Sequence, residues 1–466
     1  MFGINKNHDK PPLKVIIVGA GKVGRTLAER LSQEGNEITV IDREASKIEA
    51  LTNMYDVMGI VGNGATYAAQ AQADIVDADL LIAVTDSDEL NLLTCTVAKR
   101  VGNCSVIARV RDPDYSNEIS YLRDKLGLSM IINPELESAR EMARLFYLPS
   151  ALDVNSFAHG QAELVKYRIP QNSILDGVTL AEFAQSRPGK TRLLVTAIER
   201  NANVTIPNGN FRIQAGDVVS FVLPRRDRRS FLKALNIDNA TVKDCMIIGG
   251  GKSTYYLAKQ LIHMGVSVKI IEKDSNRCER LSEVLPEAVI INGDGTDEEL
   301  LREEGIESVD SFVSLTGIDE QNILLTLFAR RVSDTKVITK VNRSNFHDVI
   351  NDLDLGSIIY PRYITSEAII AYARAKRASN SSNIETLYHM YDQKVEAIEF
   401  RVDSESKATM APLSDLKLKD SLMIAFINRG GEIILPSGSD QIQVGDTVMV
   451  VTTHTCFNDL DDILAE

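Results

Sequence analysis

Hydrophobic residues in this chain follow two rhythms. A short unbroken apolar run, Leu13–Val18, is followed by a stretch from Lys22 to about Glu34 in which Val23, Leu27 and Leu31 recur at helical spacing. A second run, Glu37–Ile41, comes next and ends in Asp42. Continuous apolar runs of this length predict strands buried on both faces of a parallel sheet, and the rhythm between them predicts an amphipathic helix. Elsewhere the rhythm shortens. Residues 195–224 and 424–453 are short β-rich runs punctuated by Pro207-Asn208-Gly209 and Gly216-Asp217 in one, and by Pro436-Ser437-Gly438 and Gly445-Asp446 in the other. Such runs predict hairpins in a small domain.

The two rhythms occur twice. VIIVGAGKVGRTLAERLSQEGNEITVID is matched by CMIIGGGKSTYYLAKQLIHMGVSVKIIE, with Gly21 and Gly251, and likewise Asp42 and Glu272, 230 positions apart. Gly62-Asn63-Gly64 is matched by Gly293-Asp294-Gly295. Thr85 with Asp88, Glu89 and Asn91 is matched by Thr316 with Asp319, Glu320 and Asn322. Ile107–Arg111 is matched by Ile338–Asn342. These later pairs lie 231 apart, a slip of one residue. A repeat of this length is a duplicated domain pair. Polar stretches near Leu148–Asn155, Pro224–Asp244 and Arg374–Thr386 supply the boundaries. The expected fold is α/β, with two Rossmann-like parallel-sheet domains (1–150 and 240–380), each followed by a small α/β domain (151–228 and 384–466).

Composition narrows the function. The formal net charge is −14 over 466 residues, which argues against neutralising nucleic-acid phosphates or adsorbing to anionic lipid. No run reaches the roughly 20 apolar residues of a membrane span. The start, MFGINKNHDKPP, has no apolar core and reads as a loose tail. The five scattered cysteines, Cys95, Cys104, Cys245, Cys278 and Cys456, form no Cys-x-x-Cys pair and read as reduced thiols of a cytosolic protein.

The candidate chemistry sits in the first repeat. Gly19-x-Gly21-x-x-Gly24 follows the first strand and opens the helix, and Asp42 ends the second strand 18 residues on. Gly19 permits the tight turn, Gly21 lets backbone approach a phosphate, and Gly24 lets helix pack on strand. The helix N-terminus, with Lys22 and Val23, offers free N–H groups to an anion. Asp42, with Arg43 beside it, is placed to accept from ribose hydroxyls. Loops at the carboxyl ends of the other strands add Asn63, Thr66, Thr85, Asp86 and Arg109. Arg109 serves either phosphates or a domain contact. The second copy keeps Gly249, Gly251 and Lys252, has Thr254 for the third glycine, Glu272 for the aspartate, and Asp294 and Thr316 in the later loops. GGGKST is not a Walker loop, because that pattern needs a glycine where Met246 stands.

On GAGKVG…ID, NGAT and T-x-x-D-E-x-N, their second-half copies, and the small domain with its IPNG…AGD run after each, both halves resemble the RCK (KTN) domains that regulate potassium conductance. The duplicated arrangement is similar to the Trk-type potassium-uptake regulatory subunits, the TrkA family, over nearly the whole chain. That resemblance implies a cytoplasmic, non-enzymatic homo-oligomeric ring, a tetramer of tandem chains. It implies binding of NAD(H) or ATP/ADP as regulatory ligands and gating of a membrane potassium transporter of the TrkH/KtrB type, with no nucleic acid. The nucleotide-binding roles it implies fall on Gly19, Gly21, Gly24, Asp42, Asn63 and Thr85, and on Gly249, Gly251, Glu272, Asp294 and Thr316. Some relatives place a cation-binding carboxylate where this chain has Glu135, but the second half has Arg362 there, so no metal site is expected.

Two other readings stay open. An NAD-dependent oxidoreductase needs a proton donor beside the nicotinamide, and none of His8, His159, His263, His347, His389 or His454 recurs in both repeats. Tyr-x-x-x-Lys occurs at Tyr121–Lys125 and Tyr255–Lys259, the second within the first turns of the phosphate-loop helix. An RCK-type sensor of a different transporter has the same residues.

Overall fold

The computed structural model describes residues 11–116, 118–186, 192–237, 242–342, 349–350, 353–377 and 382–465. The expected N-terminal tail at 1–10, His8, His347 and parts of two expected linkers, 238–241 and 378–381, lie outside the described residues.

The first sheet contains β1 (Lys14–Val18), β2 (Glu37–Asp42), β3 (Met58–Val61), β4 (Leu80–Ala83), β5 (Ser105–Arg109) and β6 (Met130–Ile132), all parallel, in the order β3-β2-β1-β4-β5-β6. The crossovers carry α1 (Lys22–Gln33), α2 (Ala45–Thr52), α3 (Tyr67–Gln72), α4 (Asp88–Val101), α5 (Pro113–Ser116) and α6 (Ile119–Leu126). Val15 to Val18 and Leu80 to Ala83 are all buried, which is why these strands are apolar without alternation. α4 is capped by Ser87, whose hydroxyl accepts from Leu90 N at 3.1 Å. Asp88 and Glu89 fill its first turn and Lys99 and Arg100 its last, each sign at the end of the helix dipole that favours it.

Next come α7 (Pro134–Tyr147) and an antiparallel sheet of β7 (Asp153–Phe157), β8 (Ala162–Arg168), β9 (Leu194–Arg200), β10 (Asn203–Thr205) and β11 (Val218–Pro224), in the order β10-β9-β11-β8-β7, with α8 (Leu180–Ser186) and α9 (Arg228–Ala234). The second half repeats the plan. β12 (Asp244–Ile248), β13 (Ser267–Glu272), β14 (Val289–Asn292), β15 (Ser311–Ser314), β16 (Lys336–Lys340) and β17 (Ser357–Ile359) form the order β14-β13-β12-β15-β16-β17. Its described helices are α10 (Lys252–His263), α11 (Ser275–Val284), α12 (Glu298–Glu303), α13 (Asp319–Val332) and α14 (Pro361–Arg377). The second small sheet is β18 (Ser382–Met390), β19 (Val395–Val402), β20 (Leu422–Arg429), β21 (Glu432–Ile434) and β22 (Thr447–Thr452), in the order β18-β19-β22-β20-β21. The repeat holds at the level of register: Lys14 pairs with Glu37 and Asp244 with Ser267.

The repeated Gly-Asp turns in the small domains have one explanation. Gly216 and Gly445 take φ of 91° and 92°, the left-handed region glycine enters freely. The aspartates that follow are buried and receive a bidentate arginine. Arg200 Nε and Nη2 reach Asp217 at 2.7 Å each, and Arg429 Nε and Nη2 reach Asp446 at 2.9 and 2.7 Å. The fork also bonds the carbonyls of Arg212 and Gln441, so a buried carboxylate is neutralised and the turn locked in one step.

The chain forms two compact units. One holds residues up to Pro134 together with Arg362–Arg377; the other holds Glu135–Pro361 and Ala378–Glu466. Most of α14, which follows the second Rossmann-like sheet in sequence, thus belongs to the unit of the first. There Arg374, 2% exposed, pairs with Glu34 at 2.6 Å, Arg377 bonds the Glu34 carbonyl, and Arg30 stacks on Tyr363 at 4.7 Å. In the other unit one apolar cluster draws on both small sheets, with Phe157, Leu164 and Val222 from the first and Val395, Phe426 and Met449 from the second.

Candidate functional site

The first site lies at the carboxyl edge of its sheet, where the crossovers from neighbouring β1 and β4 diverge. Such a switch point opens a crevice for a ligand. The loop after β1 and the loop after β4 touch there: a Cβ on Gly19, whose φ is 107°, would lie 3.0 Å from Thr85 N and from Val84 O. Gly24 faces a harder constraint, since a Cβ there would fall 1.8 Å from the Gly19 carbonyl oxygen. Gly21 has the opposite surroundings. It is the N-cap of α1, makes no side-chain cap, and a Cβ added to it would meet nothing within 4 Å. The N-terminus of α1, whose first N–H groups have no intrahelical partner, thus begins beside unfilled space at Gly21, an arrangement suited to an anion. Lys22 is exposed at this turn and Val23 is half-buried.

Asp42 fixes the shape of the loop. Its Oδ2 accepts from Ala20 N at 2.6 Å and its Oδ1 from Glu44 N at 2.9 Å. Each oxygen keeps a second lone pair for a hydroxyl donor. Arg43 beside it is exposed. After β3, Asn63 Oδ1 accepts from Ala65 N, and Thr66 caps α3 while donating its hydroxyl to the Asn63 carbonyl. Thr66 is therefore tied into its own turn.

After β4 the organiser is Asn91. Completely buried, it accepts at Oδ1 from both Thr85 N, at 2.8 Å, and Thr85 Oγ1, at 2.7 Å, and donates from Nδ2 to the carbonyls of Thr85 and Arg109. One amide bonds three groups of Thr85 in the loop and ties them to the Arg109 carbonyl at the end of β5. Arg109, 8% exposed, donates to the Thr85 carbonyl at 2.5 Å and to Asp86 Oδ1 at 3.3 Å. Its guanidinium thus braces the loop, and the Asp86 side chain stands in solvent. Thr85 and Asp86 are among the expected site residues, whereas Asn91 is recognised only from the structure. The signal for it was the recurrence of Thr and Asn six residues apart in both halves.

The second site has the same frame with altered contacts. Thr316 N and Oγ1 donate to Asn322 Oδ1 at 2.9 and 2.8 Å, and Asn322 Nδ2 donates to Thr316 O and Lys340 O. Gly249 takes a φ of 99°, and Gly251 again has open space at its Cβ position and caps α10, which begins at exposed Lys252. Thr254 is buried and donates its hydroxyl to the Gly249 carbonyl at 2.5 Å, so this loop stands farther from its helix than the first. Glu272 is one methylene longer than Asp42, and the neighbour has shrunk to match. Gly250 replaces Ala20, and a Cβ on it would come 2.7 Å from Leu281 Cδ1 and 3.0 Å from Glu272 Cγ. Glu272 accepts from Gly250 N and Asp274 N at 2.6 and 2.9 Å and from Arg277 at 3.1 Å. Burial pushes this carboxyl up, but those two amides and the guanidinium outweigh it and hold it below the usual range. Asp294 is likewise held low by the backbone and hydroxyl of Thr296.

Family comparison rests on the same segments. A domain described as TrkA-N matches residues 15–134 and 245–361, and one described as TrkA-C matches 164–236 and 397–465. The chain belongs to the TrkA family. It is 31% identical to the Trk system potassium uptake protein TrkA of Haemophilus influenzae over 441 residues, covering 94% of this chain and 95% of that one. It is 33% identical to the protein of the same name from Halomonas elongata, at the same coverage. Among solved structures, the GsuK RCK domain superposes with a TM-score of 0.63 at 16% identity, covering 96% of this chain and 93% of that one. Within the TrkA family assignment, the two matched N-type segments contain the two phosphate loops, and the C-type segments contain the Arg–Asp turns. Among the described residues no helix is long and apolar enough to cross a membrane.

Proposed function

We propose that this protein is a regulatory subunit that binds an adenine nucleotide, NAD(H) or ATP/ADP, at the first phosphate loop and thereby controls a membrane potassium-uptake partner. The carrying observation is the contrast within one loop. Gly24 is fixed by the fold, whereas the Cβ position of Gly21 faces nothing in the protein, so its lack of a side chain serves something that approaches from outside. In this reading the cradle takes a phosphate group and Asp42 accepts from a ribose. Gly21, Lys22, Val23 and Gly24 would hold the phosphates, and Asp42 and Arg43 the adenosine end. Asn63, Thr66, Thr85, Asp86 and Arg109 shape the rim. Family membership supports the potassium role, since curated relatives carry the name Trk system potassium uptake protein. Related folds named GsuK have been solved bound to NAD and bound to ADP. The second loop, with Gly249, Gly251, Lys252, Glu272, Asp294 and Thr316, is a second nucleotide site with its own preference.

In this reading the protein is not an enzyme. It works in the cytoplasm as a homo-oligomeric ring of tandem chains, a tetramer, docked on a transporter of the TrkH/KtrB type. Titration calorimetry with NADH, NAD, ATP and ADP tests the binding step. Micromolar to sub-millimolar binding by at least one of them supports the reading, and failure of all four removes it.

A further inference from the structure

The two small domains descend from one repeat, yet their facing surfaces are not alike. Strand register equates Phe157 with Met390, Ala162 with Val395 and Glu163 with Glu396, since both hairpins pair these positions in the same way. By the same alignment Ala158 corresponds to Tyr391, Gln161 to Lys394 and Lys166 to Glu399. In the partner strands Ala197 corresponds to Phe426 and Ser220 to Met449, as the pairs Ser220–Ala197 and Met449–Phe426 confirm.

Contacts across the pair come in exchanged sets, the mark of a pseudo-two-fold axis. Lys394 of the second domain donates to Ala202 O in the first at 2.8 Å. The first domain's Gln161, at the matching position, lies beside Gly431, the counterpart of Ala202. At the centre the symmetry is kept in backbone and broken in chemistry. Ala158 and Tyr391 both sit at the hairpin turn with φ of 50° and 51°. The Tyr391 ring enters the first domain, with its hydroxyl 2.6 Å from Ser220 Oγ and close to the carbonyls of Ala197 and Val218. Lys166 Nζ stands 4.2 Å above that ring. On the mirror side the small Ala158 shares the apolar cluster with the bulky Phe426 and Met449, and Glu399, 2% exposed, accepts from Ala158 N at 2.8 Å.

We propose that these positions key the two small domains to each other, so that each first-type domain takes a second-type domain, that of its own chain, as its partner and neither face remains for a second copy. Like-with-like pairing fails on both counts. Two first-type faces would set Ala158 against Ser220 and Ala197, leaving the volume of a tyrosine ring empty, and would point the Lys166 ammonium at an N–H with no acceptor between them. Two second-type faces would drive Tyr391 into Met449 and Phe426 and put the Glu399 carboxylate at the electron-rich face of the ring, where a cation belongs. Specificity here comes from the mismatch built against the wrong partner as much as from the fit to the right one.

The test is an exchange of keys in the full-length chain. Tyr391→Ala, Glu399→Lys, Phe426→Ala and Met449→Ser together place first-type chemistry on both faces. Native-state hydrogen exchange should then show the Ala158 amide opening at least about ten-fold faster than in the wild type, with a lower Tm. Adding Ala158→Tyr, Lys166→Glu, Ala197→Phe and Ser220→Met moves each key to the opposite domain and should return protection at residues 158 and 391 to within about three-fold of the wild type. The eight-substitution protein contains all four damaging changes, so it decides the matter even if the four-substitution protein does not fold. Wild-type protection in the four-substitution protein, or no recovery in the eight-substitution one, overturns the proposal.

Discussion

Gly21→Ala separates the fold from the ligand more cleanly than any other change in this protein. Gly21 has φ −72° and ψ −169°, an extended conformation that alanine adopts without strain. Its added Cβ meets no protein atom within 4 Å. Two small effects on stability oppose each other. Alanine is a poorer N-cap than glycine by a few tenths to about 1 kcal/mol, and it gains about 0.4–1 kcal/mol by narrowing the unfolded ensemble. The Tm should therefore move by no more than a few degrees. Binding is different, because the methyl occupies the space through which a phosphate reaches the first N–H groups of α1. Each charge-assisted contact contributes about 1.5–3 kcal/mol, so losing one or two predicts at least a ten-fold weaker Kd, and about 100-fold at 3 kcal/mol. The assay is NADH and ATP titration calorimetry beside a thermal melt of the same preparation. A Gly21→Ala protein that melts like the wild type and binds every nucleotide within about three-fold of it refutes the placement of phosphate at this loop. Gly251→Ala, where the surroundings are equally open, asks the same question of the second site.

Four further outcomes are expected. Asp42→Ala should weaken NADH binding about ten-fold or more and also lower Tm, because Ala20 N and Glu44 N lose their acceptor; unchanged affinity in calorimetry removes the ribose role. Asn91→Ala should destabilise the first Rossmann-like domain by about 1–3 kcal/mol, since Thr85 N loses its acceptor and the tie from this loop to the Arg109 carbonyl is cut, while Thr85 O keeps Arg109 and Thr85 Oγ1 keeps the Ser87 carbonyl; a urea midpoint equal to that of the wild type contradicts this. Glu34→Ala should cost about 1.5–3 kcal/mol by removing the charge-assisted hydrogen bonds it accepts from buried Arg374, read as a fall in urea midpoint. Lys336 supplies a pH dependence: burial lowers its ammonium to about 7 while it bonds Ala151 O and Ser357 Oγ. The unfolded chain holds this proton up to about pH 10.4 and the folded one loses it near 7. Stability from this site is therefore lowest below pH 7 and rises with pH above it, by at most about 1.4 kcal/mol per unit. Lys336→Met should flatten the rise in Tm between pH 7 and 9, and an unchanged slope rejects the assignment.

Sequence and structure meet most closely where a residue's role is local. Gly19 and Gly24 are dictated by a turn and a close approach within ten residues of chain, so spacing alone exposed them. The Arg200–Asp217 and Arg429–Asp446 forks were visible only as repeated Gly-Asp turns, because the arginine arrives from a different strand. Asn91 and Asn322 lay in plain sight, but a buried amide in the first turn of a helix declares its purpose only when the loop it faces is known. The placement of α14 was not legible at all. Its apolar face says that it is buried, whereas the unit it joins is set by Arg374, Arg377 and Glu34, some 340 residues apart in sequence. Compensation was equally hidden. Glu272 reads as a conservative change from aspartate until Gly250 is seen to make room for it.

Nucleotide control is tested most directly by potassium flux through the membrane partner reconstituted in liposomes with this protein, measured with and without nucleotide. At least one of NADH, NAD, ATP and ADP should change the flux rate, and Gly21→Ala protein, bound to the same partner, should no longer respond at that concentration. Flux that stays constant with every nucleotide, in liposomes where the wild-type protein is shown to be bound and nucleotide-loaded, would contradict it.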